Sequence, residues 1–124
     1  MKNPVKSLLI LAVAFIAFTS QAQAQEVVKL DQTPGEFEQT ELTLKAGTYI
    51  FDVTNSGVDH EVGFVITTVN KKGESGDHLK TSYLSKTIND GESARSQAVS
   101  LEPGTYHYFC PLNPTPTYTI TVTK

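Results

Sequence analysis

The sequence predicts an all-β fold, a sandwich or barrel of about seven short strands. Two observations support this class. Apolar and polar residues alternate with a period of two in several segments, as they do in strands that bury one face. Turn-forming Gly, Pro, Asn and Asp residues separate these segments, and no helical pattern of useful length competes with them after residue 24.

The first 24 residues have the features of a secretory signal peptide. Lys2 and Lys6 give a basic start, residues 8–18 form an apolar run too short to span a bilayer, and Ala22-Gln23-Ala24 fits a small-x-small cleavage site. We therefore expect residues 1–24 to be removed. The remaining residues, 25–124, are expected to form one domain that is periplasmic or secreted, with no membrane insertion after cleavage.

Charge and cysteine content limit the partners and the chemistry. The chain has a formal net charge of −3, and loss of two lysines with the signal peptide makes it more acidic, which argues against nucleic acid or anionic membrane as a partner. Cys110 is the only cysteine, so an internal disulfide is impossible. An exported protein with one cysteine has a buried inert thiol, an intermolecular bridge, or a thiolate held by a metal.

Four strands are predicted in the first half of the domain. Thr33-Pro34-Gly35 ends the first of them, and Ala46-Gly47 is a turn between the second and the third. In the second to the fourth, every second residue is apolar, as at Leu42 and Leu44. The four predicted strands are residues 27–30, 41–45, 48–55 and 62–69.

The second half is less regular. Residues 70–77 predict a polar loop, and residues 78–86 fit either an irregular strand or a single helical turn. Asn89-Asp90-Gly91 is a strong turn signal that precedes a predicted strand at 93–101. Residues 118–123 are β-branched or aromatic throughout and predict the last strand.

The cysteine lies at the end of a short aromatic strand that starts after Pro103-Gly104. Because side chains alternate along a strand, Tyr106, Tyr108 and Cys110 share one face, and His107 and Phe109 share the other. If the tyrosine face is the core face, the sulfur lies at the rim of the core, which suits a soft metal ligand. The alternative is a small, buried, apolar cysteine, the usual state of a free thiol.

Prolines dominate the segment after the cysteine. Pro111, Pro114 and Pro116 preset backbone angles and remove three amide donors. We therefore expect a stiff loop that cannot easily donate backbone hydrogen bonds to a thiolate. Stiffness suits either a preorganised site or a rigid interaction edge.

Two segments resemble a known family. Residues 55–60 read Asn55-Ser56-Gly57-Val58-Asp59-His60 and are similar to the Asn-x-Gly-x-x-His motif that supplies the first copper histidine of cupredoxins. Asp90-Gly91-Glu92-Ser93, together with the segment from Leu101 to Cys110, is similar to the cysteine strand of the same family. The chain thus resembles the plastocyanin/azurin-like blue copper proteins. The resemblance implies a Greek-key β-sandwich and copper ligation by His60 and Cys110.

The resemblance fails at two positions of the ligand set. Residues 111–117 contain neither the second histidine nor the methionine of the family, and Asn113 stands where that histidine would fall. A blue copper centre needs a trigonal Cys-His-His set, and His60 and Cys110 alone suit a low-coordinate Cu(I) better than Cu(II). His78 and His107 are expected at the surface, and His107 would need a β-bulge to turn inward.

The resemblance implies an exported copper-binding protein that acts in electron transfer or copper handling with a redox or copper-handling partner. The alternative is a metal-free module whose loops bind a protein partner. The chain has no Ser-His-Asp order, paired-carboxylate motif, phosphate-binding loop or HExxH motif, so we do not expect an enzyme.

Overall fold

The computed structural model describes residues 25–124, and the predicted signal peptide lies outside the described residues. This part of the chain has ten strands and one 3-10 turn, Lys80–Ser82. No helix among these residues is long and apolar enough to cross a membrane. The strands are β1 (Glu26–Thr33), β2 (Glu36–Phe37), β3 (Glu41–Lys45), β4 (Gly47–Asn55), β5 (Val65–Val69), β6 (Ser75–Leu79), β7 (Ser93–Arg95), β8 (Val99–Leu101), β9 (Gly104–Phe109) and β10 (Tyr118–Thr123).

The strands form two sheets of five, which confirms the predicted β-sandwich. One sheet has the order β3-β10-β9-β5-β6, with β3 parallel to β10 and the other pairs antiparallel. The other has the order β2-β1-β4-β7, with β1 parallel to β4, and β8 pairs with β4 beside β7. The structure has more strands than the sequence predicted because β2 and β6 were not recognised and one predicted strand is divided.

The single strand predicted at 93–101 is wrong. The chain pairs with β4 as two short strands, β7 and β8, and the three residues between them leave the regular ladder. At the break, the Phe51 amide donates to Ser96 Oγ (2.9 Å) and the Ser96 amide donates to the Phe51 carbonyl (2.9 Å). A side-chain hydroxyl therefore replaces one backbone acceptor, which interrupts the strand without separating it from β4.

The region between residues 70 and 86 contains both a strand and a helical turn, the two alternatives that the sequence left open for residues 78–86. The predicted polar loop is shorter than expected, because β6 begins at Ser75. The segment 78–86 starts in that strand and continues as the 3-10 turn. A register shift between Thr67 and Val69 marks a bulge in the pairing of β5 with β6.

The core between the sheets is built around aromatic rings. Phe37, from the two-residue strand β2, is fully buried and makes edge-to-face contacts with Phe64, Tyr108 and Tyr118. The Phe37 amide also donates to the Tyr118 hydroxyl (3.1 Å). Such contacts add stabilisation beyond the buried area alone. A very short strand thus joins the two sheets.

The pairing of β9 with β5 determines where the cysteine lies. Phe109 is opposite Val65 in an antiparallel register, so the chain beyond Phe109 runs beside the residues that precede β5. The loop after β4 and the loop after β9 consequently meet at one end of the sandwich, as the contact between Gly63 and Cys110 demonstrates. We call this end the cysteine pole, defined by residues 55–63 and 110–117.

Candidate metal centre

The cysteine strand has the predicted orientation. Tyr108 is fully buried, Cys110 is 5% exposed and both belong to the core cluster, while Tyr106 is half-buried against it. The thiol is free, as expected for the only cysteine. The tyrosine face is therefore the core face, and the sulfur lies at its end.

Three backbone amides donate to the sulfur of Cys110. They belong to Gly63 (3.3 Å), Leu112 (3.3 Å) and Asn113 (3.1 Å). The expectation that the proline-rich loop cannot easily supply such bonds is wrong, because Leu112 and Asn113 lie between Pro111 and Pro114 and keep their N–H groups. N–H donors interact favourably with negative charge on sulfur, and the thiolate is the form that binds metals.

A buried asparagine holds the loop that carries His60. Asn55 is fully buried, and its side-chain nitrogen donates to the carbonyls of Val58 (3.2 Å), His60 (3.1 Å) and Ile88 (3.2 Å). Its oxygen accepts from the Val58 amide (2.9 Å). Gly57 has a φ of +100°, a conformation that glycine adopts without steric cost. Asn55 and Gly57 of the recognised motif therefore shape this loop.

The His60 side chain is exposed at the same pole. Its Nδ1 lies 3.0 Å from the Glu61 carbonyl, and its Nε2 has no hydrogen-bond partner within residues 25–124. His60 and Asn113 both line a depression of about 230 Å³. The Asn113 amide also contacts the sulfur of Cys110, so Asn113 contacts one predicted ligand and shares a depression with the other. The sulfur faces backbone amides and the imidazole faces solvent.

Asn113 occupies the position where the resemblance places a second histidine. It is 4% exposed, and its side-chain nitrogen donates to Gln32 Oε1 (3.0 Å) and to the Thr33 carbonyl (3.4 Å). Residues 25–124 contain no group of three or more His, Cys, Asp or Glu residues that could hold a metal ion. The soft donors at the pole are thus one sulfur and one imidazole, a set that fits a low-coordinate Cu(I) and does not fit the trigonal Cys-His-His site.

The other two histidines lie on strands β6 and β9. Both are opposite Thr67 of β5, so all three face the same side of the sheet. His107 Nδ1 lies 2.8 Å from Ser75 Oγ, and His78 Nδ1 lies 2.7 Å from the Tyr83 hydroxyl. The pairing of β9 is regular, so no bulge turns His107 inward. His78 is exposed and His107 is half-exposed.

An apolar depression of about 330 Å³ lies on the other side of the cysteine loop. Leu112 is 50% exposed on its edge. Tyr83 and Leu84 also line it, and they come from the segment whose structure the sequence left open. Gln32 and Gly63, which bond to groups at the pole, were also missed, because they carry no recognisable metal-site motif.

Comparisons with known proteins agree with this architecture. The family model for the cupredoxin-like domain matches residues 6–122. Auracyanin B is 21% identical with a TM-score of 0.63, and the match covers 80% of this chain and 89% of that one. Auracyanin A, a "blue" copper protein from Chloroflexus aurantiacus, is 16% identical with a TM-score of 0.62 over 81% of this chain and 100% of that one. Amicyanin from Paracoccus versutus is 18% identical with a TM-score of 0.52, covering 80% and 83% of the two chains. At these identities the solved structures show the shared fold, and the family model spans most of the sequence: the chain belongs to the cupredoxin-like family.

Proposed function

We propose that this protein is an exported cupredoxin that binds copper through Cys110 and His60 and acts in electron transfer or copper handling. The main support is the sulfur of Cys110, which is buried yet accepts three backbone N–H bonds. An inert cysteine packed as an apolar side chain does not require such donors. A sulfur that carries negative charge as a metal ligand is stabilised by them.

The donor set favours Cu(I). A thiolate and an imidazole are soft enough, and two or three donors are sufficient for this ion, whereas Cu(II) prefers more nitrogen and oxygen ligands. The Asn113 side-chain nitrogen is bonded to Gln32 and to the Thr33 carbonyl, and an amide oxygen is a poor substitute for imidazole. Bound copper would supply either a one-electron couple or a transferable soft cation.

Copper binding can be tested on the full chain after export, by Cu(I) titration against a chromogenic Cu(I) chelator. We expect one Cu(I) per protein, no binding in Cys110→Ser, and affinity at least tenfold weaker in His60→Ala because one of two soft donors is lost. His107→Ala is the matched control, since this histidine bonds to Ser75 on the outer face of the sheet, and it should bind as the unchanged protein does. Equal affinities of the three variants would contradict the assignment.

The same samples distinguish the two roles. Electron transfer requires a stable Cu(II) form, which a thiolate ligand makes visible as an intense absorption band. A protein that stays colourless with Cu(II), yet holds Cu(I) until Cys110 is replaced, is a copper-handling protein. The partner would then be a protein that donates or accepts Cu(I).

A second candidate is a metal-free module that binds a protein partner at the cysteine pole. The buried Asn113 amide, bonded to Gln32 in the place of a metal-binding histidine, favours it, as does the exposed Leu112 beside the apolar depression. Metal analysis of protein isolated from the exported compartment separates the candidates. A metal-free sample that cannot be loaded with Cu(I) would exclude the first.

We also propose that residues 1–24 form a cleaved signal peptide and that the domain is periplasmic or secreted. The basic start, the short apolar run and the Ala22-Gln23-Ala24 pattern support this. The intact mass of the exported protein should correspond to a chain beginning at Gln25. A mass that includes the first 24 residues would contradict cleavage.

A further inference from the structure

A fully buried glutamine joins the two loops of the cysteine pole. Gln32 lies on β1, opposite Asn55 of β4, and its side chain is 0% exposed. Its nitrogen donates to the Gly63 carbonyl (3.1 Å), and its oxygen accepts from the Asn113 side-chain nitrogen (3.0 Å). A buried amide is costly unless both ends are hydrogen-bonded, and here both ends are.

The two residues that Gln32 binds are also two of the three donors to the cysteine sulfur. The Gly63 amide lies 3.3 Å from the sulfur of Cys110, and the Asn113 amide lies 3.1 Å from it. The contacts therefore close a ring that runs from the sulfur through Gly63, Gln32 and Asn113 back to the sulfur. The third donor, the Leu112 amide, is outside this ring.

We propose that Gln32 is a positioning residue for the Cys110 thiol, which holds the Gly63 and Asn113 amides against the sulfur. Gly63 precedes β5 and Asn113 follows β9, so a single side chain fixes both loops relative to β1. Because Gln32 bonds only within the protein, the ring is complete without a metal. The thiol is thus held in place before any ion binds.

Hydrogen exchange of the unchanged protein gives the first test. The Gly63 and Asn113 amides should exchange slowly and with the same opening free energy, because opening the ring releases both. The Leu112 amide, which has the same sulfur acceptor but no connection to Gln32, should exchange at least tenfold faster. If all three amides exchange at independent rates, or Leu112 is the slowest, the ring does not act as a unit.

Substitution gives the second test. Gln32→Met keeps the approximate volume and removes both hydrogen bonds. Ser82→Ala is the matched control: Ser82 is also 0% exposed, and its hydroxyl also makes two bonds, accepting from Ile66 (2.8 Å) and donating to the Leu79 carbonyl (2.6 Å), without contacting the sulfur. The two variants are compared at urea concentrations that give them equal free energies of unfolding, so that global unfolding exposes Cys110 equally in both. Under these conditions we expect iodoacetamide to alkylate Cys110 about tenfold faster in Gln32→Met than in Ser82→Ala.

A double substitution distinguishes positioning from general destabilisation. Since Gln32 acts on the sulfur partly through Asn113, Gln32→Met should accelerate alkylation less in an Asn113→Ala background than in the unchanged protein. Equal alkylation of Gln32→Met and Ser82→Ala, or full additivity with Asn113→Ala, would overturn the inference. These measurements use metal-free protein.

The copper part of the inference rests on the proposed function. If Cys110 binds Cu(I), Gln32→Met should weaken that binding at least tenfold, and Ser82→Ala should leave it unchanged. If the unchanged protein binds no Cu(I), the proposed function fails. The exchange and alkylation results still decide whether Gln32 positions the thiol.

Discussion

Replacing Asn55 by alanine should destabilise the domain by about 3–4 kcal/mol. The side chain is fully buried and makes four hydrogen bonds, three through its nitrogen and one through its oxygen. Two N–H hydrogens are shared among the three carbonyls, so the side chain makes about three full bonds, each contributing about 1 kcal/mol net, and a buried group left without a partner adds about 1 kcal/mol. The Ile88 carbonyl keeps the Val62 amide as a donor (3.0 Å), so the loss falls mainly on Val58 and on the His60 carbonyl.

Urea unfolding measures this effect. With a slope of about 1–3 kcal/mol per molar for a small domain, the midpoint should fall by at least about 1 M while the slope stays the same. Asn70→Ala is the matched control, because Asn70 makes three side-chain hydrogen bonds but lies in an exposed loop. It should cost less than about 1 kcal/mol, since water replaces lost partners at the surface. Equal losses for both variants would refute the argument that burial decides the magnitude.

Two further changes test the core and the edge of the sandwich. Burial, with smaller contributions from Tyr118 and Glu41, raises the pKa of Tyr108 above its ordinary value, and its hydroxyl donates to the Gln39 carbonyl. Because the folded state disfavours the ionised form, the free energy of unfolding should fall as pH rises above about 10, by up to about 1.4 kcal/mol per pH unit. Tyr108→Phe should remove that contribution. If urea unfolding between pH 9 and pH 11 gives the same dependence of the unfolding free energy on pH for both proteins, this reasoning is wrong. Gly76→Ala places a Cβ 2.6 Å from Thr68 Oγ1, which accepts a hydrogen bond from the Asp77 amide. The substitution should therefore destabilise the domain by about 1–3 kcal/mol, measured by thermal unfolding. Adding Thr68→Ala should relieve part of this loss.

Two strands that alternate in exposure along their whole length were predicted to the residue. β3 and β10 have the bounds expected from the sequence, and exposure alternates along both. The period of two is present in these sequences because each strand covers the core with one face only. β2 could not be found in this way, since two residues carry no period, although Phe37 contacts three aromatic rings of the core.

The same distinction between local and distant contacts applies to the cysteine pole. The loop from Asn55 to His60 was recognisable because its motif residues lie within six positions of one another, and three of its hydrogen bonds join residues three to five positions apart. The contact between Gln32 and Asn113 joins residues 81 positions apart, and Gly63 is 47 positions from Cys110. No local pattern encodes such pairs, because only the packing of β1 and β5 around β9 brings them together.

The proline-rich loop illustrates why counting residues of one type misleads. Three prolines in seven residues suggested a loop poor in amide donors, but each proline removes only its own N–H. Pro111 and Pro114 flank Leu112 and Asn113, whose amides both point at the sulfur of Cys110. Because proline restricts the backbone of its own residue and of the residue before it, this spacing limits the conformations of the loop and leaves donors at the two positions that the sulfur uses. The prolines therefore favour the hydrogen-bonded thiol, and the number of donors at a sulfur depends on where the prolines stand relative to the cysteine.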